Sequence, residues 1–431
     1  MKKTSILIFT VLAWFSTCFS TEPYTPITVR IDRSYPIELK GVIPFKVEIL
    51  PKDVATVKIK NNFCQINPQK IGKFIVKISH KKGSYQINNC EVTPLYWITV
   101  VGEKGLILQS QNNGDTWKNI CYKDVQTDFT SVNHVSALHI LAAGWNQDIA
   151  PVGCAILLSR NGGLTWQKTE IHGIVKEDNL LKINTLHMVN AKSGFAGTQD
   201  GLVLKTENGG SSWKAINPEH VEVFGVIKKL KFFTSWEGLV LTQHNGLWKT
   251  KDGGKLWDML YNSANLASDL QTLGRQFIAV ADDRNNGMIH LSVDKGMHWE
   301  KIPFSDGKKE RGLRTMHFFD NQNIVATSNS SVFYSKDGGK SWHTSQCGEK
   351  TDFTQSMIFP LKGMGFMVCP GATTYNKLKI YNSPYILYSM DIGRTWEAII
   401  INAESDLTPK IKNLDVFIFR TRKQLDDLVQ F

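Results

Sequence analysis

Histidines are the side chains of this sequence that come closest to a spacing that could support chemistry. His134, His187 and His317 fall at similar places in three strand-like segments of a repeated pattern. Three converging imidazoles could hold a zinc ion. The same positions also suit histidines that pack on strands or face solvent. We therefore expect no metal site and no cofactor.

Arginines and the common catalytic motifs give no clearer site. The sequence lacks a nucleophile elbow, a phosphate-binding loop and a His-Glu-x-x-His zinc motif. Six arginines occur between residues 91 and 410, and nothing in their spacing brings three of them together. Enzymatic activity stays open, and the sequence favours a protein that catalyses no reaction.

One eight-residue pattern, Ser/Thr-x-Asp/Asn-x-Gly-x-x-Trp, recurs seven times, with successive tryptophans 42 to 54 residues apart. Its third residues are Asn112, Asn161, Asn208, Asp252, Asp294, Asp337 and Asp391. Such side chains accept backbone N–H bonds across a turn, glycine permits a positive φ, and tryptophan supplies apolar surface. Because asparagine lacks the charge that calcium prefers in a ligand, the pattern indicates a structural turn.

Short β-rich segments precede each copy and are separated by Gly, Asn and Asp, without helical periodicity. Four strands and their turns fill a unit of this length. Radially repeated four-stranded sheets are the blades of a β-propeller. We therefore predict an all-β fold, with a seven-bladed propeller of four-stranded antiparallel blades over residues 91–420 and a small basic β-module before it.

The repeated pattern resembles the Asp-box, or BNR repeat, of sialidases, sortilin-type receptors, xyloglucan-degrading hydrolases and photosystem II stability/assembly factor-like proteins. Its seven regular copies, and the segment Gly102–Leu108, look most like the last group. The resemblance covers roughly residues 90–420 and implies a seven-bladed propeller that acts as a binding or assembly platform. Because it rests on turn residues, it implies less about function.

Sialidases of this type use an Arg-Ile-Pro segment and three arginines that grip a carboxylate. This sequence has Arg30-Ile31-Asp32 instead, before the first repeat. The related xyloglucan hydrolases pair two propellers, whereas this chain has room for one. The resemblance therefore implies a non-catalytic platform for a protein or peptide. A carbohydrate-binding or sialidase-like glycoside-hydrolase propeller is the alternative.

Partner binding is predicted on the side of the propeller opposite the repeated turns, where several long loops fall. Loops on one side of a rigid scaffold are the usual place for recognition, and Trp, Tyr and Arg are favoured anchors. The candidate anchors are Trp145, Asp148, Arg284, Arg311, Arg314, Tyr375 and Tyr381. Unspecialised loops are the alternative.

Six cysteines follow the first twenty residues, an even number that indicates disulfides in an exported chain. The repeat frame favours pairing in sequence order, as Cys64–Cys90, Cys121–Cys154 and Cys347–Cys369. Buried free thiols are the alternative.

Residues 1–20 are predicted to be a signal peptide, with Lys2 and Lys3 before the apolar run Ile6–Phe15. The run is too short to span a bilayer, and no later apolar run reaches 18 residues. We expect a periplasmic or extracellular protein that does not span a membrane. A lipoprotein anchored at Cys18 is the weaker alternative, because Thr17 fits that signal poorly.

Residues 21–90 are predicted to be the basic β-module, since they hold twelve Lys/Arg against five Asp/Glu. Its basic residues 30–82 could meet an anionic surface, and no nucleic-acid motif is present. Its strand-like segments are Ile27–Arg33, Phe45–Leu50, Ala55–Ile59 and Phe74–Ile78. An irregular extension along the first blade is the alternative.

The segment Ile411–Phe419 resembles the first-strand segments Ile183–Val189 and Leu313–Phe319. We predict that it completes the first blade and places Asp415 in the column of His187 and His317, with residues 421–431 as a tail. Joining the last blade to the first would avoid an open sheet edge. In the competing interpretation, Tyr85–Cys90 fills that place.

Overall fold

The computed structural model describes residues 27–38, 46–60, 63–80, 83–93, 95–120, 127–146, 153–174, 182–217, 224–262, 267–282, 287–305, 312–328, 331–347, 356–369, 385–401 and 411–419. The regular elements in these ranges are β-strands. The chain divides into two compact units, whose described parts are residues 27–96 with 418 and 419, and residues 97–417.

The described residues of the N-terminal unit form seven strands in two sheets. The strands are β1 (Thr28–Arg30), β2 (Tyr35–Glu38), β3 (Lys46–Leu50), β4 (Ala55–Lys60), β5 (Phe63–Pro68), β6 (Gly72–His80) and β7 (Gly83–Thr93). One sheet has the order β1-β7-β6-β3 and the other the order β2-β5-β4. Tyr85–Cys90 lies within β7, which pairs with β6 and β1, so the competing placement of this segment in the first repeat is wrong.

Seven further sheets follow the N-terminal strands. Their strands are β8 (Leu95–Gly102), β9 (Ile107–Ser110), β10 (Lys118–Asn119), β11 (Asp128–His134), β12 (Ile140–Trp145), β13 (Cys154–Ser159), β14 (Gln167–Lys168), β15 (Glu170–His172), β16 (Ile183–Met188), β17 (Gly194–Thr198), β18 (Val203–Thr206), β19 (Ser212–Ala215), β20 (Ile227–Phe232), β21 (Gly238–Thr242), β22 (Leu247–Thr250), β23 (Asp258–Tyr261), β24 (Ala267–Leu273), β25 (Phe277–Asp282), β26 (Met288–Ser292), β27 (Glu300–Pro303), β28 (Thr315–Phe318), β29 (Ile324–Thr327), β30 (Val332–Ser335), β31 (His343–Thr344), β32 (Met357–Leu361), β33 (Met364–Cys369), β34 (Tyr385–Ser389), β35 (Glu397–Ile400) and β36 (Ile411–Phe419).

We number these sheets 1 to 7 along the chain and count the strands within each sheet from first to fourth. Sheets 2 and 4 to 7 each contain four consecutive strands, namely β11–β14, β20–β23, β24–β27, β28–β31 and β32–β35. Sheet 3 contains β16–β19, with β15 added in parallel beside β19. Sheet 1 has the order β36-β8-β9-β10, so its first strand comes from the far end of the chain, as the sequence predicts.

Side chains on the first strands join each sheet to the next. Thr130 donates a hydrogen bond to the carbonyl oxygen of Ile183, while the Ser131 hydroxyl accepts one from Leu186 N–H at 3.1 Å. The same two bonds recur between sheets 5 and 6, where Ser268 Oγ donates to Leu313 O at 2.5 Å and Asp269 Oδ2 accepts from Met316 N–H at 3.0 Å. In both pairs of sheets, the later residue of one first strand bonds to the later residue of the next first strand. Neighbouring first strands therefore run in the same direction.

Every repeated turn packs against the preceding sheet at its fifth residue, a glycine. A Cβ at Gly163 would lie 2.4 Å from Ile120 Cδ1, and one at Gly296 would lie 2.6 Å from Leu260 Cγ. At the ends of the series, a Cβ at Gly114 of sheet 1 would lie 2.7 Å from Ile399 Cγ2 of sheet 7. These turns therefore act as contacts between sheets, and one of them links the last sheet to the first.

Candidate functional site

The strand directions divide the seven sheets into two sides. The turns between third and fourth strands, and between first and second strands, share one side, which we call the turn side. The connections between second and third strands, and between successive sheets, lie on the other, the loop side. Trp145 ends β12 on the loop side, and Arg314 directly precedes β28 there. The candidates Asp148, Arg284, Arg311, Tyr375 and Tyr381 lie outside the described residues.

The seven turns share one hydrogen-bond network, which explains the recurring sequence. In sheet 6, Ser335 Oγ donates to Asp337 Oδ1 at 2.8 Å and accepts from Gly339 N–H at 2.8 Å. Asp337 Oδ1 also accepts from Ser341 N–H at 2.9 Å. The same three contacts recur, with His298 or Leu256 at the seventh position of two copies. The turn residues are therefore structural.

Asparagine and aspartate both bond to the side-chain hydroxyl at the seventh position of the turn, but asparagine donates to it and aspartate accepts from it. Asn112 Nδ2 donates to the Thr116 hydroxyl at 2.8 Å, whereas Asp337 Oδ2 accepts from the Ser341 hydroxyl at 2.5 Å. A hydroxyl at the seventh position can serve either side chain because it both donates and accepts. The three Asn copies thus keep the geometry of the four Asp copies.

Trp145 lies against a cation at the junction of sheets 2 and 3. Lys182 Nζ is 5.6 Å from the centroid of its ring, and the Lys182 carbonyl accepts from Gln199 N–H at 2.7 Å. Trp145 pairs in register with Cys154, whose thiol pKa is raised to about 12 by burial and by the nearby Asp200 charge. Burial also raises the pKa of Asp200 itself.

The half-buried indole of Trp145 has an unused donor. Its Nε1 is enclosed, and no acceptor faces it among the residues that the structure describes. The Nε1 atoms of Trp117, Trp213 and Trp342 are enclosed in the same way, so this feature alone does not single out a ligand position. We name Trp145, Lys182 and Asp200 the junction group; it combines an aromatic face, a cation and a carboxyl group at the ends of rigid strands.

Arg314 occupies the loop side of sheet 6, away from the junction group. It is half-buried, and its backbone N–H donates to Thr327 O at 2.8 Å. Among the other described arginines, Arg160 donates to Ser211 Oγ at 2.9 Å and Arg275 pairs with Glu237 at 3.1 Å, both on the turn side. Arg394 belongs to the turn of sheet 7. Among the described arginines of the seven sheets, Arg314 is therefore the one that lies on the loop side.

Half-buried side chains at one register position of the seven first strands form a column. They are Asn133, His187, Lys231, Gln271, His317, Ile358 and Asp415. Asp415 accepts from His134 N–H as Asn133 accepts from Met188 N–H, so it joins His187 and His317 in the column, as predicted. The expectation for His134 is wrong, because Asn133 pairs with Leu141 at this register position and His134 pairs with Ile140, one residue further along β11. His134 Nε2 instead lies 2.8 Å from Thr99 Oγ1 of sheet 1.

Burial dominates the protonation of these groups. It lowers the pKa of His134, His187 and His317 to about 4 and raises the pKa of Asp415 to about 6. His187 contacts Phe232 O at 3.2 Å, and His317 packs on Phe359 with ring centroids 4.7 Å apart. Both histidines are therefore neutral side chains that contact the next sheet. In the described part of the chain, no three metal-binding side chains come together.

Sequence reasoning missed a buried Tyr–His–Asp group between sheets 4 and 5. Tyr261 OH lies 2.6 Å from His290 Nδ1, and His290 Nε2 lies 3.9 Å from Asp282 Oδ2. Burial, followed by the Asp282 charge, raises the pKa of Tyr261. These residues come from three strands of two sheets, so no local sequence pattern predicts that they lie together. The His290 ring is enclosed, so we assign the group to packing.

The described cysteines do not form the predicted disulfides. Cys64, Cys154, Cys347 and Cys369 are buried free thiols, and Cys90 Sγ donates to Ile87 O at 3.7 Å. The bonds Cys64–Cys90 and Cys347–Cys369 are therefore not formed. Cys64 and Cys90 lie in different sheets of the N-terminal unit, whereas Cys347 and Cys369 share one apolar cluster. Cys121 lies outside the described residues.

Comparisons with known proteins agree on the fold. Residues 287–405 match the sequence profile of the family described as Sortilin, neurotensin receptor 3 (Sortilin-Vps10). No curated protein matches the sequence. Across the described ranges, no helix is long and apolar enough to cross a membrane.

Solved structures with similar folds share little sequence with this chain. YCF48 from Cyanidioschyzon merolae is 14% identical with a TM-score of 0.50, and the match covers 69% of this chain and 95% of that one. The GH74 xyloglucanase from Xanthomonas campestris is 11% identical with a TM-score of 0.54, over 70% of this chain and 52% of that one. The chain thus spans about half of the xyloglucanase.

A YCF48 structure bound to D1 peptide is 17% identical with a TM-score of 0.48, covering 64% of this chain and 82% of that one. The profile match, the two closer folds and the repeated four-stranded sheets together make the fold a β-propeller.

Proposed function

We propose that the protein is a closed seven-bladed Asp-box propeller that binds a protein or peptide through its loop side and catalyses no reaction. Seven sheets, each with one copy of the same turn network, support the blade number. Closure is supported by two contacts of sheet 7 with sheet 1, at Gly114 with Ile399 and at Ser356 with Leu414.

The junction group is the observation that carries the proposed binding. An aromatic ring with a cation 5.6 Å from its centre offers apolar contact beside a positive charge. Tryptophan is among the favoured anchors of protein interfaces. Lys182 and Asp200 add charges of both signs that can select charged side chains of the partner.

Sugar rings also stack on tryptophan, so a glycan is the rival ligand of the same group. The sequence lacks the Arg-Ile-Pro segment of sialidases. This lack favours a peptide over a sialic acid.

Selection of peptides from a random library on the full chain tests the proposal. Enriched peptides should bind saturably, and Trp145→Ala should weaken them about 10- to 30-fold, as expected for an anchor residue. The matched control is Trp236→Ala, which removes an exposed tryptophan from the turn side and should leave the affinity unchanged.

Xyloglucan oligosaccharides and sialyllactose, titrated into the same variants, distinguish the rival. Binding of a sugar that Trp145→Ala abolishes, without peptide binding, would replace the peptide by a glycan. Peptides that bind Trp145→Ala as tightly as the parent chain would contradict the proposed site.

We also propose export through residues 1–20, a periplasmic or extracellular location, and a separate basic module in residues 21–90. Expression with and without residues 1–20, followed by fractionation of the cells, tests the export: the full chain should leave the cytoplasm and the shortened chain should stay.

A further inference from the structure

The turn side carries an apolar patch that the proposed binding on the loop side does not use. Exposed large apolar side chains cluster on sheets 4 and 5: Trp236 at 58% exposure, Leu256 at 70%, Met259 at 48%, Val293 at 64% and Met297 at 73%. A grouping of this kind on a monomer usually marks an interaction surface.

Contacts show that these residues belong to one neighbourhood. Trp236 adjoins the turn of sheet 4, since its carbonyl accepts from Gly253 N–H at 2.8 Å. The turn of sheet 5 packs at Gly296 on Leu260, which directly follows Met259. The patch therefore runs from Trp236 across the turn of sheet 4 to the turn of sheet 5.

Two of these side chains are unexplained by the fold. Position seven of the turn is a hydroxyl residue in five copies and caps the Asx side chain there, but in sheet 4 it is Leu256. Asp252 still accepts from Leu256 N–H at 3.0 Å, and the leucine side chain projects into solvent. Met297 at position six projects in the same way. At position seven of the turn in sheet 4, an exposed apolar side chain therefore replaces a hydroxyl that would form a turn hydrogen bond.

Cations accompany the apolar tips. Lys251 and Lys255 lie in the turn of sheet 4 and Lys295 lies in that of sheet 5, all exposed. The acids of these turns are directed inward, because Asp252 and Asp294 accept backbone N–H bonds of their own turns at 2.9–3.0 Å. Lys205 Nζ lies 5.2 Å from the Trp236 ring and pairs with Glu207 at 2.8 Å. Three exposed lysines therefore flank the apolar tips, and the exposed acids Asp258 and Glu300 begin the strands that follow the two turns.

We propose that this patch docks on an anionic lipid membrane surface, with the apolar tips entering the interface and the lysines contacting headgroups. Amphipathic surfaces rich in Lys, Trp and long apolar side chains bind such interfaces. Exposed Leu164 and Met390 occupy turn tips of sheets 2 and 7 on the same side. A fluid bilayer accepts separate apolar tips, whereas a protein partner would need a separate pocket for each.

Flotation of the full chain with lipid vesicles tests the proposal. The chain should float with phosphatidylcholine vesicles that contain phosphatidylglycerol, less with phosphatidylcholine alone, and less at high salt. Leu256→Thr and Met297→Ser should each weaken the binding roughly tenfold, the effect of withdrawing one large apolar side chain from the interface.

Leu256→Thr separates binding from folding, because threonine restores the hydroxyl that caps this turn in other copies and should leave stability equal or higher. The control is Thr344→Ala, at an exposed residue of β31 in sheet 6, which should bind vesicles like the parent. Absent flotation, or equal flotation of Leu256→Thr and the parent, would overturn the proposal. So would self-association of the chain that Leu256→Thr abolishes without any vesicle binding, since the occupant would then be a second copy.

Discussion

The Asp415 carboxylate accepts a hydrogen bond from the backbone N–H of His134 at 2.5 Å, so the first strand of sheet 1 is tied to the first strand of sheet 2. On its other side, Leu414 N–H donates to Ser356 Oγ of sheet 7 at 3.4 Å. The strand β36 of sheet 1 therefore contacts both sheet 2 and sheet 7. Its contribution to stability should be far larger than that of a surface segment.

A chain that ends at Ala403 should lose its cooperative unfolding transition or unfold at a much lower temperature. Removal of β36 exposes the backbone groups of β8 and leaves the partners of Asp415 and Leu414 without their bonds. Calorimetry of the truncated and full chains measures the effect. Near-equal unfolding temperatures would mean that β36 adds little to sheet 1.

Gly114→Ala should destabilise the protein more than Gly274→Ala. Both glycines have positive φ, at 92° and 63°, but a Cβ at Gly114 would also press on Ile399 of sheet 7, whereas nothing lies within 4 Å of one at Gly274. Denaturant unfolding of the two variants isolates the cost of the contact between sheets 1 and 7. Equal losses would indicate that this contact is loose.

The repeated turns were predictable because each is a local device: Ser335, Asp337 and Gly339 lie within five residues and hold one another. The place of β36 was also predictable, since its apolar pattern matches other first strands. The junction group was only partly visible. Trp145 was a candidate from its residue type, but Lys182 and Asp200 join it through the register between sheets, which no local pattern encodes. The contact of Tyr261 with His290 also depends on the register between sheets, so the sequence did not predict it.

Asp337→Asn should be nearly neutral, whereas Asp337→Ala should cost about 1–2 kcal/mol of unfolding free energy. The Asn copies show why, because an amide can donate to the hydroxyl at position seven where a carboxylate accepts from it. Chemical denaturation gives both values. A large loss in Asp337→Asn would show that the negative charge, rather than the acceptor oxygen, holds the turn.

The unfolding temperature should fall as the pH is lowered from 6.5 towards 4. In the folded protein burial holds the pKa of His134, His187 and His317 at about 4, below the ordinary value of 6.5, so the unfolded chain binds more protons in this range. The pKa of Asp415, raised to about 6 by burial, acts in the opposite direction but is a single group. The stabilisation by neutral histidines is fully present above pH 6.5.

His187→Gln combined with His317→Gln should make this pH dependence shallower, because two of the buried histidines with lowered pKa values are gone. Thermal unfolding at a series of pH values provides the comparison. An unfolding temperature that is constant or rises on acidification would show that these histidines are protonated in the folded state.

Hydrogen–deuterium exchange of the full chain with a selected peptide locates the surface that binds it. Binding through the loop side should slow exchange at the loop-side ends of β12, β13 and β16, around Trp145, Cys154 and Ile183. Exchange in the turns around Trp236 and Leu256 should not change. Protection confined to those turns, with the loop-side ends unchanged, would contradict binding through the loop side.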